Sequence, residues 1–72
     1  MNDKFVKEIL ELLEVEKINI DDRLEKFENW DSFTHLSVIA FFDSEYNIIL
    51  TNDDLKKINT IGDLWRLTSH NG

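Results

Sequence analysis

Ser32 and His35 stand three residues apart. On a helix that spacing shares a face, and a hydroxyl beside an imidazole is the minimum for a nucleophile and its base. The surroundings do not complete such a centre. No glycine flanks the serine as in a nucleophile elbow, no oxyanion hole is evident, and 72 residues leave no second domain to wall a substrate pocket. Metal chemistry is no better supplied. Neither 21–31 nor 52–63 gives the order of oxygen ligands, central glycine and closing glutamate of an EF-hand loop. His35 and His70 are the only imidazoles and cysteine is absent, so zinc is not expected and each histidine reads as a solvated or helix-side residue. On residue types alone, then, no catalytic or metal site is expected, and Ser32 reads as a helix cap.

The elements that must position these groups are helical. The chain has no proline and only two glycines, and its apolar residues recur at helical spacing. A first helix is predicted over about 3–14, capped by Asn2 or Asp3, with Phe5, Val6, Ile9, Leu10, Leu12 and Leu13 on one side. The pattern then breaks. Ile18, Ile20, Leu24, Phe27 and Trp30 predict a long ordered loop over 15–30 pinned by buried apolar anchors, and long loops in small domains tend to be functional. A second helix is predicted over about 32–46, opening at the capping pair Asp31-Ser32. Its apolar residues exceed the roughly 100° arc that a surface helix needs. Either this helix is central, or a stripe such as Phe33, Leu36 and Ala40 is left for a partner. Asn47 to Leu50 reads as a linker with inward apolar residues. Thr51-Asn52 can cap a short third helix over about 53–58, with Asp53 and Asp54 in its first turn and Lys56 and Lys57 in its last. Thr60 and Asp63 form a capping box for a fourth helix over about 61–68, and Ser69 to Gly72 reads as a loose tail.

Composition narrows the partners. Fifteen acidic against eight basic residues give a net charge of −7, the wrong sign for neutralising nucleic-acid phosphates or an anionic membrane. The longest apolar run, Val38 to Phe42, falls far short of the roughly 20 residues that span a bilayer. The start, Met1-Asn2-Asp3-Lys4, is not that of a signal sequence, so a cytoplasmic, monomeric, single-domain chain over 1–72 is expected. No Lys or Arg falls between Lys26 and Lys56, which leaves a central acidic block suited to solubility or to a basic partner.

Trp30-Asp31-Ser32-Phe33, an apolar helix ending in Tyr46-Asn47-Ile48, then Asn52-Asp53-Asp54-Leu55 and Ile58 to Leu64, resemble the acyl carrier protein family over nearly the whole chain. The resemblance implies an all-α four-helix bundle with three longer helices and a short third one. It makes Ser32 the attachment point for 4′-phosphopantetheine, donated from coenzyme A by a phosphopantetheinyl transferase. Asp31 is then expected to help with the Mg2+ of that reaction. The chain itself is expected to catalyse nothing and to bind no metal tightly. It would hold acyl or aminoacyl groups as thioesters and meet basic patches on loading and transferring enzymes. Asp43 and Glu45, with Phe33, Leu36 and Ala40, would make those contacts. Val38, Ile39, Phe42, Leu50, Leu55, Ile58 and Ile61 match positions that line an acyl cavity in lipid-carrying relatives, and on pattern alone they are core. An unmodified helical module that docks through the second helix, with Ser32 only a cap, is the alternative.

The departures from the family are specific. Phe33 replaces the usual leucine, as in D-alanyl carriers, and Trp30 is similar to stand-alone carriers of specialised pathways. Asn29 stands where glycine is frequent and tolerates the same left-handed backbone. Thr34 and Ser37 occupy positions that are acidic in fatty-acid carriers, which weakens the match to fatty acid biosynthesis enzymes. Bulky Phe41 and Phe42 fill space that a long chain would need, so a short or polar cargo is expected.

Overall fold

The computed structural model describes residues 1–69; His70 and the end of the predicted tail lie outside the described residues. Among the described residues there are four α-helices and no strand, an all-α architecture. Helix α1 (Asp3–Leu13) starts where the Asn2 side chain accepts the Phe5 N–H at 2.8 Å. Phe5, Ile9 and Leu13, four apart, form its buried edge. It stops at Glu14, whose φ of 58° is left-handed and whose N–H turns back on the carbonyls of Leu10 and Glu11.

Helix α2 (Ser32–Tyr46) is capped by Asp31 and ends at Asn47, again left-handed with φ 57°. Its buried line is Thr34, Val38 and Phe42. Phe42 packs edge-to-face with Phe5 at 6.5 Å, and Phe5 meets Trp65 at 5.0 Å, so aromatic contacts join α1, α2 and α4. At the surface Lys4 of α1 pairs with Glu45 of α2 at 2.6 Å, and that bond holds the Lys4 ammonium above its usual range.

The last two helices are both short, which corrects the expectation of a single short one. Helix α3 (Asn52–Lys56) has five residues and α4 (Ile61–Arg66) has six. Both carry complete capping boxes, Thr51 with Asp54 and Thr60 with Asp63. After Arg66 the chain tightens into a 3-10 turn over Leu67–Ser69, where the Thr68 hydroxyl donates to the Trp65 carbonyl at 2.7 Å and competes for a helical acceptor. Ile58, predicted inside the third helix, lies beyond it and is half-buried.

The long loop is ordered by pairing with the entrance to α4. Leu24 N–H donates to Asn59, Ile61 N–H to Asp22, and Gly62 N–H to Ile20, all at 2.8–2.9 Å. Leu24 opens a 3-10 turn over Leu24–Lys26, and it and Phe27 are the buried anchors. Two carboxylates brace the junction. Asp22 accepts the Asn19 N–H and the Lys26 ammonium, and Asp63 accepts the Asn59 and Thr60 N–H groups; these bonds hold both carboxyls below their usual range.

Two expected anchors face outward instead. Ile20 is 48% exposed: its carbonyl accepts the Gly62 N–H and one side of its side chain rests on Gly62 of α4, which leaves the other side open. Ile49 is 82% exposed between half-buried Ile48 and buried Leu50, the alternation of an extended segment.

Gly62 is fixed by this junction. A Cβ there would lie 2.8 Å from Ile20 Cγ1 and 3.0 Å from the Ile20 carbonyl oxygen. Gly62→Ala would recover up to about 1 kcal/mol of helix propensity. Overpacking costs about 1–3 kcal/mol, and the near atoms include backbone held by a hydrogen bond. A net loss of about 1–2 kcal/mol is expected in urea denaturation; a gain would show that the loop is not seated on α4 as described.

Candidate functional site

Asp31 and Ser32 divide the opening of α2 between them. The Asp31 side chain accepts the Thr34 N–H at 3.0 Å and its carbonyl accepts the His35 N–H at 2.9 Å, so Asp31 is the cap. Ser32 is therefore not the cap, which corrects the reading of it from residue type. It is the first helical residue, is exposed, and its hydroxyl has no hydrogen-bond partner among the described residues. The N–H groups of Ser32 and Phe33 precede the first intrahelical bond and lie at the positive end of the helix dipole. An exposed serine hydroxyl at such a place suits attachment of an anionic group.

Phe33, Leu36 and Ala40 form one exposed stripe on α2, at 77% exposure for Phe33 and 60% for Leu36. The helix is thus central on one side and open on the other. Asp43 is exposed beside this stripe. Glu45 is exposed and forms a surface ion pair with Lys4 of α1, which packs beside α2. Thr34, placed by the resemblance at a recognition position, is buried, since it continues the line of Val38 and Phe42 into the core. Ser37 faces outward far enough for its hydroxyl to reach back to the Phe33 carbonyl at 3.4 Å.

The residues expected as acyl cavity or core divide by depth. Val38, Phe42 and Ile61 have no exposed surface, Leu50 and Leu55 are buried, and Ile39 and Ile58 pack half-buried against them. Phe41 and Tyr46 cover Phe42 with edge-to-face contacts at 6.0 and 5.4 Å.

His35 lies on the side of α2 and is half-buried, one of the two places expected from its residue type. Its ring stands edge-on to Trp30 at 4.5 Å, and its Nε2 is buried with no hydrogen-bond partner among the described residues. The ring stands between two shallow grooves. One, of about 350 Å³, is lined by Ser32, His35, Leu36, Asn52 and Lys56. The other, of about 270 Å³, has Leu24, Trp30, Leu55 and Ile58 as apolar lining and Arg23, Glu25 and Asn59 as polar lining, and His35 and Lys56 belong to it as well. Sequence reasoning missed both grooves because α3 is brought against the start of α2 by tertiary packing.

Among the described residues, no group of three or more His, Asp or Glu side chains is placed to hold a metal ion, and no helix is long and apolar enough to cross a membrane. No family model, curated protein or solved structure matches the chain.

Proposed function

We propose that this chain is a carrier protein of the acyl-carrier type, a four-helix bundle whose Ser32 receives 4′-phosphopantetheine from coenzyme A. The observation that carries the reading is the Ser32 hydroxyl, exposed and without a hydrogen-bond partner among the described residues at the first position of α2, directly after an aspartate that caps the helix. When bound, the group supplies a terminal thiol on which acyl or aminoacyl units are held as thioesters. Ser32 contributes the oxygen that forms the phosphoester bond; the hydroxyl proton passes to a base of the transferase, and the nucleotide part of coenzyme A leaves. Asp31 uses one carboxylate oxygen on the Thr34 N–H and has a second to offer to the transferase's Mg2+. The unpaired N–H groups of Ser32 and Phe33 favour the resulting phosphodiester.

The exposed stripe of Phe33, Leu36 and Ala40, flanked by Asp43, suits docking onto enzymes with an apolar patch rimmed by basic residues. The chain does no catalysis in this reading; tethering gives its cargo a high effective concentration at each partner. Full burial of Val38 and Phe42 supports a short cargo, and the resemblance carried by Trp30 and Phe33 implies a specialised pathway.

The test is intact mass after incubation with a broad-specificity phosphopantetheinyl transferase, coenzyme A and Mg2+. One added phosphopantetheine on the wild type and none on Ser32→Ala is the expected result. No addition with several transferases would overturn the reading and leave an unmodified docking module, which the same exposed stripe would serve.

A further inference from the structure

We infer that Trp30 and His35 form an aromatic clasp across Ser32 that holds the first turn of α2 in place and so sets how the serine hydroxyl is presented, which makes both of them positioning residues for its modification; the inference rests on the carrier reading. Trp30 lies two residues before the serine and His35 three residues after it, and their rings meet edge-on at 4.5 Å. The contact closes residues 30–35 into a ring with Ser32 inside it. The serine needs such a brace. Its hydroxyl has no hydrogen-bond partner among the described residues, so its direction is set only by the backbone that carries it, and that backbone is a helix end, where helices fray.

The clasp joins two anchored pieces of chain. On the loop side the Trp30 N–H donates to the carbonyl of buried Phe27 at 3.1 Å, and the Asp31 N–H donates to the Asn29 carbonyl at 2.9 Å. On the helix side the Thr34 and His35 N–H groups donate to the Asp31 carboxylate and carbonyl, the bonds that start α2. Neither piece can swing away from the other without parting the rings. The imidazole contributes its ring and not its nitrogens, because Nε2 is buried without a hydrogen-bond partner among the described residues and the Ser32 hydroxyl is not bonded to it. A phenyl ring makes the same edge contact and leaves no buried nitrogen unpaired. The exposed stripe of Phe33, Leu36 and Ala40 takes no part in the clasp, so presentation of the serine is separable from docking.

The experiment measures two things for the wild type, Trp30→Ala, His35→Ala, the double variant and His35→Phe: hydrogen-exchange protection of the Thr34 amide in the unmodified protein, and steady-state phosphopantetheine transfer as carrier concentration is varied. Leu64→Val, a change in the buried core on α4, is the control for general destabilisation, and all samples are held where circular dichroism shows them folded. In both single alanine variants the Thr34 amide should lose protection about tenfold while the Phe42 amide keeps its own, and kcat should fall about three- to tenfold with KM unchanged. The double variant should be no slower than either single one, since one contact is lost in all three. His35→Phe should exchange and react like the wild type, and Leu64→Val should keep its kcat. Unchanged Thr34 protection in the alanine variants, or losses that multiply in the double variant, would overturn the clasp. His35→Phe as slow as His35→Ala would put the role on an imidazole nitrogen and overturn it equally, and a loss shared by Leu64→Val would reduce the effect to stability. A wild type that gains no mass would instead remove the carrier reading and the positioning role with it, a failure told apart from that of the clasp by the exchange data on the unmodified protein.

Discussion

Phe42→Ala is expected to lower the folding stability by about 3–5 kcal/mol, the cost of emptying a buried aromatic site. For a chain of 72 residues the whole stability is about 4–11 kcal/mol, so this one change consumes a third of it or all of it. Phe42 has no exposed surface and touches Phe5, Phe41 and Tyr46 edge-to-face, so its loss leaves a void that three rings on two helices border. Phe33→Ala removes the same side chain from the same helix at a position 77% exposed, and should move stability by no more than about 0.5 kcal/mol. Urea denaturation followed by far-ultraviolet circular dichroism checks both. Equal effects of the two substitutions would mean that α2 is rotated from the orientation described, and the docking stripe would fall with it.

That rotation is what the sequence could not decide. α1 has one apolar side, so spacing places Phe5, Ile9 and Leu13 inward together with Val6, Leu10 and Leu12, and packing buries only the first three. α2 is apolar nearly all round, and its buried line runs through Thr34, which polarity would have sent outward. The choice between faces is made by what packs against them, which is tertiary information. The caps were legible because they are local: Asn2, Thr51 and Thr60 each sit within three residues of the N–H they accept. The same locality misled at Ser32, where two adjacent residues could both cap and backbone geometry gave the role to Asp31. Shortening of α4 was hidden too, because Thr68 ends it through a side-chain bond that competes with the helix rather than through a glycine or proline. The junction between the long loop and α4 links residues about forty apart by backbone groups, on which side-chain pattern is silent. The grooves beside His35 depend on that junction, since it sets where α3 lies against α2.

Asp31→Asn separates the two roles that meet at the start of α2. Asparagine caps a helix about as well as aspartate, so the bond to the Thr34 N–H survives and stability should change by no more than a few tenths of a kcal/mol, the share of a charge near a helix N-terminus. Asp31→Ala loses the cap and should cost about 1 kcal/mol. If Asp31 serves the transferase's Mg2+ through its second oxygen, both variants accept phosphopantetheine at least about tenfold more slowly, equivalent to about 1.4 kcal/mol in the barrier, with Asn nearly as slow as Ala. Raised Mg2+ should restore part of the rate in Asp31→Asn, because the amide oxygen is a weaker ligand in the same place. If the residue were only a cap, Asp31→Asn would react like the wild type while Asp31→Ala slowed in proportion to its lost stability. Ser32→Ala supplies the opposite dissociation. The hydroxyl has no hydrogen-bond partner among the described residues and alanine is the better helix former, so stability should hold or rise by a few tenths of a kcal/mol while acceptance falls to zero. A protein in which removing the cap harms folding, and removing its neighbour harms only modification, has kept structure and chemistry on adjacent residues.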